Sequence, residues 1–483
     1  MIIRPSGKTT ESTEQQTASG FETEVLRRLP LADAVLSLWG FVMDPRFLDG
    51  IFARHRGRSF ESVLKFPVFV NLIADALLQH HGSGRQAFER ALKDETLPTS
   101  VEAAYGKLRR VPLALSIGFL EDCTQRLREL QSPTAAVEWP AALREFTPVI
   151  VDGKKLKKVA KRLMVSRGQP GKLFGGKMLV AYVPTEGLAR SFSADPDGEA
   201  NDCKLLPDLL LRARQIITGS RLWILDRQFC DLTQPPLLVQ DGDHFVIRFH
   251  PKNQWELDPA RPAVHSRDAT GRELIDEWGW LGSPKSKRRF YVRRVRLLRP
   301  GEEEIIVLTD LLDETRYSAA DLLAAYKERW GIERVFQQIT EVFSLQQLIG
   351  STPQATIFQG AFCLLLYNLL QIVRQQIAAA QATPCGAATL STEQIFTDVT
   401  RQLIGATELL SPAQLTALIP PQRSRSEIQP YLARLLRVPI PKLWWKTSNK
   451  RPRKKLAPPT QAGAHTSVAK LLAAASRRAK SGT

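Results

Sequence analysis

The last forty-two residues of this chain contain no acid. From Lys442 to Thr483 there are eleven lysines and arginines and no aspartate or glutamate, so this stretch carries +11 of the formal net charge of +18. Such a run suits a flexible tail that contacts nucleic acid without sequence preference. Cysteine is scarce: Cys123, Cys203, Cys230, Cys363 and Cys385 are odd in number and form no Cys-x2-Cys pair. That argues against a disulfide framework or a zinc ribbon and fits a reducing compartment. No charged segment followed by an apolar run stands near the N-terminus, so no secretory signal is expected. Long apolar runs are also missing. The longest, Ala361 to Val373, contains Asn368 and Gln371 and falls short of the about 20 residues that span a bilayer. The expectation is a soluble, cytoplasmic protein with no membrane partner.

With 483 residues, 43% of them hydrophobic, the chain is long enough for two to four structural units. Residues 1–20 are rich in Ser, Thr, Glu and Gln and read as disordered. Residues 21–145 show helical periodicity, as in Ser59 to Phe66, Val68 to His80 and Pro112 to Leu130, interrupted by Pro98 and Pro112. Basic residues gather there at Arg54-His55-Arg56-Gly-Arg58 and Lys107-Leu-Arg109-Arg110, a pattern open to DNA contact or to a solvated helical surface.

From Phe146 the pattern turns to strands. Val149 to Val151, Lys177 to Val183 and Ala189 to Ser193 precede a helix over Cys203 to Ile217 and a strand over Leu222 to Leu225. Residues 231–317 are again β-rich, with strands expected at Phe245 to Phe249, Phe290 to Val295 and Ile305 to Thr309. Ser318 is placed to cap a helix. The divisions that follow are 146–230 and 318–379 for an α/β core, 231–317 for a β-rich insertion, 380–441 for C-terminal helices and 442–483 for the basic tail.

Three acids sit where chemistry is expected. Val149-Ile150-Val151-Asp152-Gly153 and Trp223-Ile224-Leu225-Asp226 are apolar runs that each end in an aspartate, as strands do at the edge where α/β sites assemble. Downstream, Tyr326, Arg329 and Glu333 are three and four residues apart, so one continuous helix would present a phenol, a guanidinium and a carboxylate on one face. Carboxylates suit Mg²⁺, with Mn²⁺ able to substitute, and an arginine fork with a phenol suits a phosphate. Two ions held about 4 Å apart by Asp152, Asp226 and Glu333 could clamp an in-line phosphodiester displacement.

At Asp152-Gly153, Asp226-Arg-Gln-Phe229 and Tyr326-x2-Arg329-x3-Glu333 the chain resembles the DDE transposases of bacterial insertion sequences, in the subgroup marked by Tyr-x2-Arg-x3-Glu-x6-Lys. Asp197-Gly-Glu-Ala-Asn201-Asp202 and Val307-Leu-Thr-Asp310-Leu extend the likeness. The resemblance implies a ribonuclease-H-like catalytic core, Asp152, Asp226 and Glu333 as metal ligands, and Tyr326 and Arg329 as DNA-phosphate ligands. It also implies end recognition by an N-terminal helical domain, double-stranded DNA as substrate and target, and a homodimer on DNA. Two positions depart from the pattern. Thr340 stands where the signature has lysine, and Lys154 stands where many relatives carry a small hydroxyl residue. Either Arg334 or Lys327 restores the cation, or the site is weakened.

Other readings stay open. A copy that binds element ends without cutting them would inhibit transposition, and a stand-alone nuclease would hydrolyse without strand transfer. Lys154, Lys155, Lys157, Lys158, Lys161 and Arg162 form either a solvated loop or an edge that tracks phosphates. Trp278 or Trp280 either packs in a core or stacks on a flipped base. Asn201 and Asp202 are candidates to support the acids.

Overall fold

In the computed structural model, residues 20–481 are described except 79, 81, 132–136, 158, 344, 346, 382–384, 411–423, 438 and 447–464. Residues 1–19, Lys158 and the basic cluster Lys450 to Lys455 therefore lie outside the described residues. Seven helices come first: α1 (Gly20–Arg27), α2 (Pro30–Val42), α3 (Pro45–His55), α4 (Phe66–Leu78), α5 (Gly84–Lys93), α6 (Val101–Arg109) and α7 (Leu113–Arg128). Then β1 (Thr147–Lys157), β2 (Lys172–Val183), β3 (Leu188–Asp195), α8 (Asp202–Ile216), β4 (Arg221–Leu225), α9 (Pro235–Leu238) and β5 (His244–Arg248) build the middle of the chain. They are followed by β6 (Trp255–Leu257), β7 (Val264–Arg267), β8 (Glu273–Leu281), β9 (Phe290–Leu297) and β10 (Ile305–Thr309). The rest is α10 (Ala319–Lys327), α11 (Trp330–Glu341), α12 (Pro353–Ala379), α13 (Thr392–Leu409), α14 (Arg425–Leu435), β11 (His465–Ser467) and α15 (Val468–Ser481). The protein is a mixed α/β fold.

One mixed sheet of eleven strands runs in the order β11-β2-β1-β4-β5-β10-β9-β8-β6, with β3 also on β2 and β7 also on β8. β1, β4 and β5 are parallel neighbours, while β2 runs antiparallel to β1, β10 to β5 and β9 to β10. β5 lies in the β-rich stretch that begins at residue 231, yet it pairs with β4 over Leu222↔His244 to Leu225↔Ile247. The stretch is therefore continuous with the central sheet through β5 and β10.

The two faces of the sheet alternate along each strand, as pleating requires. Ile150, Leu222 and Ile224 face a core shared with α2, α4, α7, α11 and α12. Val149, Val151, Trp223 and Leu225 face the other core, filled by Leu205, Leu206, Leu209 and Leu210 of α8. On the first face α12 is buried all round. Asn368 on α12 accepts from Ala189 N at 2.9 Å and donates to Ala189 O at 2.8 Å and to Thr124 Oγ1 at 2.8 Å. One side chain thus ties α12 to β3 and α7, and the N-terminal helices share the core of the sheet.

Several expectations change. Ser59 to Lys65 is not helical, because Phe60 and Val63 find no core and stay exposed (82% and 57%). Pro67, in the first turn, opens α4 instead. β1 does not stop at Asp152 but runs to Lys157, pairing with β2 as far as Lys157↔Phe174. Lys154, Lys155 and Lys157 are thus strand residues, not a loop. Part of the basic tail is folded: β11 pairs in parallel with β2 over His465↔Lys172 to Ser467↔Phe174, and α15 follows it.

Candidate active site

The ladder between β1 and β4 sets the position of the two aspartates. Their parallel pairing runs from Thr147↔Arg221 to Val151↔Leu225, so Asp152 and Asp226 stand on the next rung. Both continue the even-numbered series Ile150 and Ile224, which faces α11. A shift of one residue in either strand would send its acid to the α8 side. Asp226 leaves the strand with extended backbone (φ −80°, ψ 169°) and leads into the short turn Arg227–Phe229.

The residue after Asp152 has its own reason. A Cβ on Gly153 would lie 2.6 Å from both carboxylate oxygens of Asp202, so only glycine lets α8 approach β1 this closely. Asp202 is buried and pairs with Lys177 Nζ at 2.6 Å, and Lys177 also donates to Ala200 O at 2.8 Å. Asn201 caps α8 by accepting from Cys203 N at 3.0 Å. The candidate support from Asn201 and Asp202 therefore sits directly behind Gly153. Lys177, which nothing in its strand-like surroundings singles out, supplies their cation.

The helix carrying the third acid is broken. Ser318 caps α10 through Asp321 N at 3.1 Å, but α10 ends at Lys327 and α11 begins at Trp330. Across the junction the bonds tighten to three-residue spacing: Arg329 N donates to Tyr326 O at 3.0 Å and Ile332 N to Arg329 O at 3.2 Å. Glu328 and Arg329 keep right-handed helical backbone, so the chain tightens without reversing. Sequence spacing could not reveal this, because Gly331 is the only weak helix former near the break and it lies inside α11.

Arg329 is the hub. It is 5% exposed, with Nη2 3.1 Å from Glu333 Oε1 and Nη1 3.9 Å from Asp152 Oδ2. Its guanidinium lies 4.8 Å from the centre of the half-exposed Trp330 ring and 5.9 Å from that of Tyr326. Burial pulls against its charge, but Tyr326, Asp226, Asp152 and Glu333 together hold its pKa above the ordinary arginine value. The Tyr326 hydroxyl and Arg329 Nε are buried and have no hydrogen-bond partner among the described residues. Burial, chiefly, pushes the Tyr326 phenol up to about 12.

Asp152 is 18% exposed at its side chain and accepts from Gly153 N at 2.8 Å. Burial, with the like charges of Asp226 and Glu333, pushes its carboxyl up to about 6 despite that bond and Arg329. Three acids thus converge on one arginine, and the excess negative charge is what a hard cation would neutralise. Among the described residues, no three acid, histidine or cysteine side chains are close enough to grip one ion together. Glu333, 42% exposed, reaches Asp152 only through Arg329.

Beside the acids opens a cleft of about 630 Å³ lined by Asp152, Asp226, Lys154, Lys177, Gln228 and Thr340, among others. Lys154 Nζ donates to Thr340 Oγ1 at 2.8 Å and to Phe336 O at 3.2 Å, and burial brings its pKa down to about 8. The cation nearest Thr340 thus comes from β1. Arg334 instead lines a separate cavity with Tyr182, Tyr367 and Arg374, and Lys327 is exposed at the end of α10.

Several other candidates have partners elsewhere in the fold. Trp278 is fully buried, donates to Leu312 O at 3.0 Å and lies under the Arg261 guanidinium at 3.8 Å. Trp280 packs edge-on against Tyr291 at 5.0 Å. In the N-terminal helices, Lys107 is held by Glu61 at 2.9 Å over the rings of Phe52 and Phe69. Arg54 and His55 share Asp122. Arg109 and Arg110 remain exposed. Asp310 accepts from Phe245 N at 2.9 Å and meets His244 Nδ1 at 2.7 Å, which fastens β10 to the start of β5.

Residues 145–369 match the family model of the transposase DDE domain. The matched region runs from just before β1 into α12 and contains Asp152, Asp226, Tyr326, Arg329 and Glu333. Over 206 residues the chain is 26% identical to a protein of Sinorhizobium fredii named "Putative transposase y4zB", which covers 42% of this chain and 54% of that protein. The chain thus spans about half the length of this curated relative. Both likenesses support a DDE transposase.

Proposed function

We propose that this chain is a transposase that binds the inverted-repeat ends of a mobile element, cleaves a phosphodiester at each end and joins the freed end to target DNA. The observation that carries the reading is the parallel register of β1 and β4, which sets Asp152 and Asp226 side by side opposite Arg329 and Glu333. We read the sheet β3-β2-β1-β4-β5 with α8 and α11 as a ribonuclease-H-like core. The 21–145 helices are the end-recognition unit in this reading. The working form is a homodimer on DNA in the cytoplasm.

Asp152, Asp226 and Glu333 would hold Mg²⁺, with Mn²⁺ able to substitute. When bound, such ions lower the pKa of an attacking water and offset charge on the leaving oxygen. The protein's own part is to orient the substrate. Arg329 lies between Asp152 and Glu333, so its guanidinium faces a scissile phosphate once Glu333 swings away. The Tyr326 hydroxyl, which has no hydrogen-bond partner among the described residues, would donate to a phosphate oxygen beside it. Water adds to phosphorus and the bond to the bridging 3′ oxygen breaks, leaving a 3′-hydroxyl and a 5′-phosphate. The 3′-hydroxyl then attacks a phosphodiester of the target, or first the opposite strand.

The test is strand cleavage by the purified full chain of a duplex carrying the inverted repeat that flanks its gene, with Mg²⁺ or Mn²⁺. Cleavage that needs the metal and yields 3′-hydroxyl ends supports the reading, and joining of those ends to a second duplex separates it from a stand-alone nuclease. A second reading is a protein that binds element ends and blocks transposition. It is favoured by the engagement of Glu333 with Arg329, and binding without cleavage would favour it over the first.

A further inference from the structure

We propose that Lys154 is the phosphate-binding cation of this cleft and that Thr340 holds it there. The inference rests on the phosphodiester reading of the site. Lys154 is two residues beyond Asp152 on β1, so both side chains lie on the sheet face that meets α11. Its ammonium bonds Thr340 Oγ1 and Phe336 O. Thr340 Oγ1 itself donates to Phe336 O at 2.6 Å, which leaves its lone pairs free to accept from Lys154. Both acceptors are neutral, and Lys154 makes no ion pair among the described residues. An ammonium has three donors, and two are used.

Of the other cations that line the cleft, Lys177 is neutralised by Asp202. Lys155 lies over the Phe174 ring at 5.4 Å, as Lys154 lies over the Phe336 ring, but as an odd-numbered residue of β1 it leaves the strand on the face away from Asp152. Lys154 is thus a partly buried positive charge with no ion pair among the described residues, on the wall of the cleft that also holds Asp152 and Asp226. A phosphate oxygen of the DNA backbone fits that charge and the one spare donor. The contact also accounts for the two departures from the signature. The lysine expected at 340 and the small hydroxyl expected at 154 have exchanged positions, and the two side chains touch, so the pair still contributes one ammonium and one hydroxyl.

The experiment compares the full chain with Lys154→Met, Lys154→Arg and the exchange Lys154→Thr/Thr340→Lys, using the inverted-repeat duplex. One readout is the slope of log affinity against log salt without divalent metal. The other is the single-turnover cleavage rate at saturating DNA with Mg²⁺. Loss of one phosphate contact should lower the slope by about 0.9 and the rate by about 100-fold in Lys154→Met. The exchange should restore both, and Lys154→Arg should restore the slope. Thermal unfolding of each variant separates a folding defect from a lost contact.

Unchanged slope and rate in Lys154→Met, in a preparation where Asp152→Asn abolishes cleavage, would overturn the assignment and leave the phosphodiester reading intact. So would an exchange variant that is as stable as the parent yet restores neither readout. If the parent chain binds DNA without cutting it, the slope alone decides. A parent chain that binds no duplex overturns both readings.

Discussion

The two ends of β4 hold acids in opposite electrostatic states. Beside its first residue, Asp243 is fully buried and accepts from Arg221 N at 3.0 Å, Arg221 Nε at 2.6 Å, Arg214 Nε at 2.8 Å and Trp223 Nε1 at 3.0 Å. Two arginines and an indole answer one carboxylate. Beyond its last residue, Asp226, Asp152 and Glu333 share Arg329. An acid with more donors than it needs fastens strands together. Acids with too few donors leave charge that a ligand must complete. Residue type cannot distinguish the two, since both ends present an aspartate next to an apolar run.

The sharpest way to test this contrast is to neutralise acids at each end. Asp152→Asn, Asp226→Asn and Glu333→Gln should each reduce cleavage to background with DNA binding retained and the unfolding temperature unchanged or raised. Cleavage surviving any one of them would mean the three acids are misassigned. Asp243→Ala should do the reverse. It leaves Arg214 and Arg221 without their carboxylate and should cost about 3–5 kcal/mol in denaturant unfolding. The fraction that stays folded should still cleave. A stable Asp243→Ala protein would erase the distinction between the two ends.

Added Mg²⁺ sharpens the contrast with a smaller effect. At a hundred times its dissociation constant it should stabilise the parent chain by about 2.7 kcal/mol. That shift in unfolding temperature should vanish in Asp152→Asn/Asp226→Asn. Gly153→Ala, which drives a methyl group into the Asp202 carboxylate, should destabilise by about 1–3 kcal/mol, read from the denaturant midpoint.

The smallest effect concerns His244. Its hydrogen bond to Asp310 raises its pKa against partial burial, with Asp243 and Glu145 adding to the rise. A raised folded pKa means stability present below about 6.5, the unfolded value, and lost as pH climbs through the folded value. With His244 31% exposed at its side chain, solvent screening keeps this under about 1 kcal/mol. The stability gap between the parent chain and His244→Gln should therefore narrow from pH 6 to pH 9. A gap that widens would contradict the sign.

Much of the strand and helix order is legible in the sequence. Strands such as β4, β9 and β10 announce themselves as short apolar or alternating runs between turns, and α8 by its spacing. What stays hidden depends on partners distant in sequence. β1 runs on through Lys154 and Lys157 because β2 pairs with it, although charged residues look like a loop. Ser59 to Lys65 has helical spacing but no core to meet. β11 folds only because the start of β2 offers an open edge. At the site, the acids are readable from strand ends. The break between α10 and α11, the buried Lys177–Asp202 pair and the Lys154–Thr340 bond are not, since each depends on a three-dimensional neighbour.

α12 has a consequence for the protein before it folds. By length and composition it could cross a membrane, yet every residue of its most apolar window is buried in the fold. Emerging from the ribosome alone, it would compete for the machinery that inserts membrane proteins. Asn368, Gln375 and Arg374 on this helix bond Ala189 and Thr124, Glu186 O and Thr392 Oγ1 in the folded protein. Each is also costly in lipid. The side chains that lock the helix into the core are therefore also the ones that would make its insertion into a bilayer costly.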